Sequence, residues 1–256
     1  MLTNVDTAKE LHTVLSFCSG YGGIERGLEL AKFKHRTIAY VEIEAYAIAN
    51  LANKMEAGKL LPAPIWSNLK TLPVQPFRDK VDLITGGYPC QPFSAAGERK
   101  GDKDPRHLWP HIRRHIKAIR PIRVFFENVE GHISLGLREV ISNLESLGYR
   151  TTWGLFSACE VGAPHQRKRV YILANSDSAS WQRGGIPSGV HEEYSNTNGS
   201  SDEVRAEAAQ QWPPEPNVGR VVDGCPDRVD RLRLLGNGVV PQTAAKAWIT
   251  LNERFK

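Results

Sequence analysis

The chain has 256 residues, enough for one large domain with a well-buried core, or for one domain and a small appendage. Hydrophobic residues make up 41% of it and charged residues 24%, a mixture typical of soluble globular proteins, and no apolar run reaches the ~18 residues that span a bilayer. The formal net charge of +5 favours polyanionic partners but is a weak signal by itself.

The amino terminus and the cysteines indicate the compartment. No basic leader followed by a long apolar run is present, so we expect a cytoplasmic protein without a membrane segment. The four cysteines lack the spacing of zinc sites and of disulfide frameworks, which favours reduced thiols. His107, His111 and His115 recur every four residues, but no carboxylate or cysteine completes a tetrahedral set nearby, so we predict no metal site.

Short apolar runs alternate with amphipathic stretches, which predicts an α/β fold with helices on both faces of a doubly wound, Rossmann-like mixed sheet. The predicted strands, in chain order, are residues 13–17, 37–42, 81–87, 122–129 and 169–174. The predicted helices are residues 22–31, 45–55, 108–119 and 138–148, with a further helix near the carboxyl terminus.

The composition changes after residue 174. Residues 175–229 are rich in Ser, Asn, Gly and Pro and lack apolar periodicity, so we expect an insertion with little core of its own. The predicted organisation is a main domain (1–174), a short variable insertion (175–229) and a segment that completes the main domain (230–256).

A glycine turn follows the first predicted strand. Gly20, Tyr21, Gly22 and Gly23 join that strand to a helix, where glycines allow close approach of a ligand to free backbone N–H groups. Glu42 ends the second strand and has the chemistry to accept hydrogen bonds from ribose hydroxyls. The pattern predicts a nucleoside site, although such turns also serve tight packing, and it does not separate a dinucleotide from S-adenosylmethionine.

Three further sets of candidate site residues lie next to the ends of predicted strands. Cys90 stands in the sequence GGYPCQPFS after the third strand, where a thiolate would face the ligand crevice. Glu127 and Asn128 end the next strand, which suits a carboxylate for general acid work. Arg167 and Arg169 alternate at the entry to the last predicted strand, on one face, where they could hold phosphate or a base oxygen.

Taken in order, the glycine turn, PCQPFS, ENV, the RxR strand and LGNGVVP resemble the motif set of cytosine carbon-5 DNA methyltransferases. The resemblance covers roughly residues 11–175 and 228–256, and PCQ together with ENV is its most specific part. The compact build most resembles phage and prophage members acting in a bacterial host. The resemblance implies methyl transfer from S-adenosylmethionine to cytosine in double-stranded DNA, on the methyltransferase version of the predicted fold.

The resemblance also implies catalytic roles. Cys90 would attack carbon 6 of a cytosine flipped out of the duplex, and Glu127 would bind its ring nitrogen and exocyclic amine. Arg169, helped by Arg167, would hold the carbonyl oxygen. Residues that would complete the catalytic and substrate contacts are Pro89, Asn128, Gln91, Ser94 and Arg106.

The cofactor residues implied by the resemblance surround the glycine turn. The turn would line the methionine portion of S-adenosylmethionine, and Glu42 would bind the ribose. The remaining cofactor positions would be Ile43, Asn68, Leu69, Leu108, Asn237, Gly238 and Val239.

Several positions depart from the family pattern. Ser16 and Cys18 stand where the family's first glycine motif has Asp and Phe, and Asn68 replaces the Asp that meets the adenine amine. Ile43 replaces an aromatic residue, and His165 replaces the Gln that starts the QxRxR pattern. These departures bear on cofactor affinity, because none of them alters Cys90, Glu127 or Arg169.

The insertion occupies the place of the family's target recognition domain. Gln182 and Arg183 are candidates for contacts to base edges in a groove. Because the insertion is short and poor in apolar residues, recognition could also require a second subunit. Three other functions stay open: a tRNA methyltransferase of the same chemistry, a non-catalytic DNA-binding regulatory module, and a nicotinamide oxidoreductase built on the glycine turn.

Overall fold

The computed structural model describes residues 11–89, 108–176 and 238–255. The strands are β1 (His12–Phe17), β2 (His35–Val41), β3 (Ile65–Trp66), β4 (Leu83–Gly86), β5 (Arg123–Val129), β6 (Tyr149–Phe156) and β7 (Arg169–Ser176). The helices are α1 (Gly23–Leu30), α2 (Ala45–Glu56), α3 (Trp109–Ile119), α4 (His132–Leu135), α5 (Leu137–Ser146) and α6 (Pro241–Glu253). Short 3-10 turns lie at Leu69–Thr71, Gln75–Phe77 and Ala158–Val161.

The seven strands form one mixed sheet in the order β3-β2-β1-β4-β5-β7-β6. The first five in this order are parallel, and β7 runs antiparallel to both of its neighbours. The strand order reverses between β1 and β4, and ligands of doubly wound sheets bind beyond the carboxyl ends of the strands at such a point. The predicted α/β fold with a doubly wound mixed sheet is therefore confirmed.

Apolar side chains cover both faces of the sheet. On one face Phe17, Ile84 and Phe126 pack with Ile112 of α3 and Val140 of α5. The other face is covered by α1 and α6. The buried side chains between the sheet and these helices include Val14, Leu83, Phe125, Tyr171, Leu28, Trp248 and Leu251. Within the ranges that the structure describes, no helix is long and apolar enough to span a membrane.

Strand β6 was absent from the sequence prediction. Thr151 and Thr152 interrupt its apolar alternation, and so does Gly154, which has no side chain. Glycine is needed at position 154 because an added Cβ would lie 2.8 Å from the Phe156 ring. It lies at the end of the sheet, and Arg254 Nη1 donates to the Trp153 carbonyl at 2.6 Å. Strand β7 continues to Ser176, two residues beyond its predicted end at residue 174.

Helices α1 and α6 approach closely at Gly27. An added Cβ there would lie 2.6 Å from the Ala244 Cβ and 2.8 Å from the Pro241 carbonyl oxygen, which is part of the backbone. We therefore expect Gly27→Ala to lower the free energy of unfolding by about 1–3 kcal/mol, because α6 must shift. Urea unfolding of both proteins would measure the difference.

Gly131→Ala is the matched control for this substitution. An added Cβ at Gly131 meets nothing within 4 Å, and its backbone φ of −59° suits alanine. We expect no loss of stability there, since such a change restricts the unfolded chain. Equal stability of Gly27→Ala and the wild type would contradict the close contact of α1 with α6.

Candidate active site

Most of the predicted site residues that the structure describes lie at the edge of the sheet where the parallel strands end. The glycine turn follows β1, Glu42 follows β2, and Pro89 lies three residues after β4. Glu127 is the third residue from the end of β5, one position beyond Phe126, which pairs with Gly86 at the end of β4. Several predicted residues lie outside the described ranges: Cys90, Gln91, Ser94, Arg106, His107, Gln182, Arg183 and Asn237.

Glu127 is a buried carboxylate, with 6% of its surface exposed. Arg169 Nε lies 2.9 Å from its Oε1, and an added Cβ on Gly87 would lie 3.2 Å from its Oε2. Burial raises the Glu127 pKa to about 7, although the positive charges of Arg169 and Arg167 oppose the shift. The carboxyl group can therefore both donate and accept a proton near neutral pH, beside the segment that leads to Cys90.

The two arginines reach Glu127 in different ways. Arg169 begins β7, whereas Arg167 precedes the strand and has a left-handed backbone with φ of 33°. The expectation that both side chains alternate along one strand is therefore wrong for Arg167. Its Nη2 donates to the Gly238 carbonyl at 2.5 Å, while its charge still acts on Glu127. Arg167 thus interacts with both Glu127 and the carboxyl-terminal segment.

Asn128 supports the backbone before Cys90. Its Nδ2 donates to the Tyr88 carbonyl at 3.0 Å, and its Oδ1 accepts from Val129 N at 2.9 Å. The side chain is buried at 2% exposure. Both polar atoms of this amide are engaged with the protein backbone, so Asn128 acts on the site through Tyr88.

Tyr21 joins the glycine turn to the carboxyl-terminal segment. Its hydroxyl donates to the Val239 carbonyl, and Lys54 Nζ donates to the Tyr21 carbonyl at 2.6 Å while lying 5.1 Å from the centre of its ring. An added Cβ on Gly23 would lie 2.8 Å from the Val239 carbonyl oxygen. Gly23 therefore has to be glycine for this approach, and Gly238–Val239 close one side of the turn.

Glu42 is oriented by the backbone around it. Its Oε2 accepts from Gly20 N at 2.7 Å, and its Oε1 accepts from Ile43 N and Glu44 N, each at 2.8 Å. Three of about four lone-pair directions of the carboxylate are thus used, and one on Oε2 is left for a hydroxyl donor. Gly20 has φ of 53°, and an added Cβ there would meet nothing within 4 Å.

Asn68 and Leu69 follow β3 at the same edge of the sheet. Asn68 Oδ1 accepts from Lys70 N at 2.9 Å, which leaves its second lone pair for another donor. His115 Nε2 lies 2.6 Å from the Leu69 carbonyl oxygen, so this nitrogen carries the proton. Ile43 is 70% exposed beside Glu42, whereas Leu108 packs against the core ahead of α3.

Cys18 lies close to Glu42 but is a poor nucleophile. Burial, assisted by the negative charge of Glu42, raises the pKa of its thiol to about 12. Thiolates are the reactive form of cysteine, so Cys18 stays protonated near neutral pH.

Sequence reasoning missed several supporting residues. His115 shares the apolar face of α3 with Ile112 and Ile116, and a histidine at such spacing is a signal for a buried partner. Its bond to Leu69 gives it a role other than the metal ligand considered above. Tyr171 pairs with Glu127 across the sheet, and its hydroxyl is buried without a hydrogen-bond partner among residues 11–89, 108–176 and 238–255.

Comparison with known proteins identifies the family. The family model described as C-5 cytosine-specific DNA methylase matches residues 12–219. The chain belongs to this family. C-5 DNA methyltransferases of this fold use S-adenosylmethionine as the methyl donor.

Two bacterial relatives show the extent of the similarity. Type II methyltransferase M.NgoMIV of Neisseria gonorrhoeae is 34% identical over 170 residues, which cover 63% of this chain and 51% of the relative. Type II methyltransferase M.NaeI of Lentzea aerocolonigenes is 32% identical over 166 residues, which cover 63% of this chain and 39% of the relative. The matched part of this chain therefore spans 51% and 39% of the lengths of these two relatives.

Solved structures share the fold. The S. pombe Dnmt2 methyltransferase is 26% identical with a TM-score of 0.58, covering 75% of this chain and 58% of that one. The Entamoeba histolytica methyltransferase EhMeth is 21% identical with a TM-score of 0.54, covering 72% and 57% of the two chains. At 21% identity, the likeness to EhMeth shows a shared fold and no more.

The cofactor position of a C-5 methylase fits the residues described here. The glycine turn leaves space at Gly20, and Glu42 keeps one acceptor position for a ribose hydroxyl. Ile43 offers an exposed apolar surface next to that carboxylate. A nucleoside with a short charged tail matches this combination of an acidic group, an open glycine turn and an apolar wall.

Proposed function

We propose that this chain transfers a methyl group from S-adenosylmethionine to carbon 5 of cytosine in double-stranded DNA. The observation that carries the proposal is the buried Glu127, paired with Arg169 and lying against Gly87, three residues before Cys90. A carboxyl group with a pKa of about 7 is suited to move a proton at a pyrimidine ring nitrogen. Membership in the C-5 methylase family supports the same reaction.

In the proposed reaction the Cys90 thiolate forms a bond to carbon 6 of cytosine. The π electrons of the double bond between carbons 5 and 6 shift to form a double bond between carbons 4 and 5. The electron pair released from the double bond between carbon 4 and N3 takes up the proton that Glu127, in its protonated form, delivers to N3. Carbon 5 then bonds to the methyl group, whose former bonding pair would stay on the donor sulfur, and N3 returns its proton to Glu127. A base removes the proton from carbon 5, the carbon–sulfur bond breaks, and the double bond and the thiolate are restored.

The bound cofactor would supply a methyl group on a positively charged sulfur. Glu42 would hold its ribose, and the turn at Gly20 would face its methionine portion. Ile43, Asn68, Leu69 and Leu108 are the proposed contacts of the adenosine portion, and Gly238 and Val239 close the pocket beside Tyr21.

The burial of Glu127 bears on how cytosine reaches the site. A base stacked within a duplex cannot contact a carboxyl group with 6% exposure. We therefore infer that the cytosine leaves the stack, as in other enzymes that do chemistry on a base. Arg169 and Arg167 would then contact the carbonyl oxygen of the flipped base.

Radioactive methyl incorporation into duplex DNA and into tRNA tests the proposal. We expect labelled duplex DNA, with 5-methylcytosine found by bisulfite sequencing of DNA from cells that express the protein. Labelling of tRNA alone would overturn duplex DNA as the substrate. Absence of labelling in both, with S-adenosylmethionine binding intact, would favour the non-catalytic DNA-binding module.

We further propose that residues 175–229 select the DNA sequence and leave the chemistry to the rest of the chain. The described residues that carry the proposed chemistry lie before residue 175 or after residue 237. Gln182 and Arg183, which lie outside the described residues, have side chains suited to base edges in the major groove.

Replacing Gln182 and Arg183 together by alanine tests this proposal. We expect an altered methylated sequence context or weaker DNA binding, by about 10-fold or more, because each good base contact contributes roughly 1–3 kcal/mol of discrimination. S-adenosylmethionine affinity should stay at the wild-type value. An unchanged methylome at full efficiency would place recognition elsewhere, with the basic segment around Arg99 to Arg106 or a second subunit as the next candidates.

A further inference from the structure

Tyr88 is held in place through its main-chain carbonyl and through its side chain. It lies two residues before Cys90, and its carbonyl accepts from Asn128 Nδ2 at 3.0 Å. Its hydroxyl lies 3.0 Å from His132 Nε2, and both side chains are buried. The ring packs edge-on against Phe126 at 5.6 Å and tilted against Trp109 at 5.6 Å. The chain that leaves β4 is therefore held by the backbone and by the side chain of one residue.

His132 is itself held in one position. It begins α4, and its ring lies edge-on to Tyr88 with centroids 5.6 Å apart. An added Cβ on Gly136 would lie 2.9 Å from the His132 Cε1, so only glycine lets the chain pass over the ring. The following helix α5 is anchored in the core by Leu137 and Val140. The imidazole thus sits between Tyr88 and a fixed part of the fold.

The ring of His132 is neutral at physiological pH. Burial lowers its pKa to about 4. A neutral imidazole has one donor and one acceptor nitrogen, so Nε2 and the Tyr88 hydroxyl can share one hydrogen bond in either tautomer. This bond is uncharged and joins two buried polar groups, so its loss carries a cost in free energy.

We propose that His132 is a positioning residue for the reaction, acting through Tyr88 on the chain that leads from β4 into Cys90. The inference rests on the proposed function, because it assigns His132 to the placement of the proposed nucleophile. Asn128 is the penultimate residue of β5, and His132, four residues later, begins α4. The end of β5 and the start of α4 therefore carry the proposed catalytic carboxylate of Glu127 and also hold Tyr88, which begins the nucleophile's segment.

A double-mutant cycle tests this role. Tyr88→Phe and His132→Phe each remove the shared hydrogen bond and keep an aromatic ring in place. The readout is the rate of covalent adduct formation with a mixed-sequence duplex containing 5-fluorocytosine in place of cytosine, with S-adenosylmethionine present. We expect each single variant to be slowed about 10-fold or more, since small misplacements of reacting groups cost large factors in rate.

The double variant should be no slower than the slower single one, because both changes remove the same interaction. His132→Gln, whose amide nitrogen or oxygen can replace Nε2, should recover most of the rate. Binding of S-adenosylmethionine, measured by calorimetry, should stay within about twofold of the wild type in all variants, because neither Tyr88 nor His132 is among the proposed cofactor contacts and most of those contacts follow β1, β2 and β3.

Tyr149→Phe is the matched control. Tyr149 is also a buried tyrosine, and its hydroxyl donates to the Pro121 carbonyl at 2.7 Å, just ahead of the amino end of β5 and away from the site. We expect Tyr149→Phe to lower the free energy of unfolding about as much as Tyr88→Phe does and to leave the rate of adduct formation unchanged. Equal slowing by Tyr149→Phe, or wild-type rates in Tyr88→Phe and His132→Phe, would overturn the positioning role alone. Absence of an adduct with the wild type would overturn the proposed function and this inference with it.

Discussion

Replacing Cys90 by serine is expected to abolish methyl transfer while S-adenosylmethionine binding persists. A serine hydroxyl is almost fully protonated near neutral pH, so we expect a loss of at least about three orders of magnitude in rate. The proposed cofactor residues, among them Glu42 and Tyr21, are built on β1, β2 and α2 and do not depend on the Cys90 thiol. Single-turnover methylation and calorimetric binding would measure the two effects separately.

Cys159→Ser provides the control for this experiment. Cys159 is an exposed free cysteine that lies 3.0 Å from the Ser157 hydroxyl, in the 3-10 turn ahead of β7. Its replacement should leave both rate and binding unchanged. Turnover by Cys90→Ser at a rate near that of the wild type would remove Cys90 from the mechanism.

Glu127→Gln is expected to slow methyl transfer by about 10²–10⁴-fold, the usual range for loss of a general acid or base. Glutamine keeps the size of the side chain and can still contact a base, but it cannot exchange a proton with the ring nitrogen. Glu130→Gln is the control, because Glu130 lies nearby with its carboxylate 3.9 Å from Lys168 Nζ at the surface. Full activity of Glu127→Gln would contradict the proton-transfer role.

The pH dependence of the rate supplies a second measurement on Glu127. Burial raises its pKa to about 7, so its protonated fraction falls as pH rises through about 7. The wild-type rate should therefore lose the contribution of protonated Glu127 as pH rises through about 7, which appears as a decline on the alkaline side. In Glu127→Gln the alkaline decline should be absent. Identical pH profiles for both proteins would show that Glu127 does not donate a proton.

The same pKa shift predicts how stability depends on pH. The folded-state pKa of Glu127 is raised from 4.5 to about 7, so the folded protein binds this proton more tightly than the unfolded chain. The stabilising contribution is fully present below pH 4.5 and is lost as pH rises through 7. The unfolding free energy of the wild type should therefore fall relative to Glu127→Gln across this window.

Four of the five parallel strands, β1, β2, β4 and β5, were predictable because they are mostly buried, whereas the two-residue β3 was not predicted. Runs such as Leu83–Gly86 and Arg123–Val129 read as continuous apolar segments bounded by glycine or proline. Strand β6 was not predictable in the same way. It is a half-exposed edge strand whose threonines and Gly154 break the alternation, and only pairing with β7 defines it.

The site shows the same division between local and tertiary information. Glu42 and Glu127 were predictable as residues that end apolar strands, which places them at the ligand edge of the sheet. The roles of Arg167 and Asn128 depend on tertiary contacts with Gly238 and Tyr88, and these contacts have no local signature.

His132 and His115 show why buried histidines are difficult to interpret from sequence. Each is satisfied by a partner more than forty positions away along the chain. His115 at least falls among the isoleucines of α3, whereas His132 follows a short polar turn with no periodic pattern. A buried polar group needs a partner, and only the fold identifies which one it is.

Mass spectrometry of a trapped adduct tests the central claim most directly. Fluorine at carbon 5 of cytosine cannot be removed as a cation, so the last elimination step stalls with the carbon–sulfur bond intact. After incubation with a duplex containing 5-fluorocytosine and S-adenosylmethionine, we expect a denaturation-resistant complex. Digestion should then yield one modified peptide, with the methylated fluorocytosine on Cys90. An active preparation that gave no adduct, or an adduct on another residue, would contradict methyl transfer through a Cys90 intermediate.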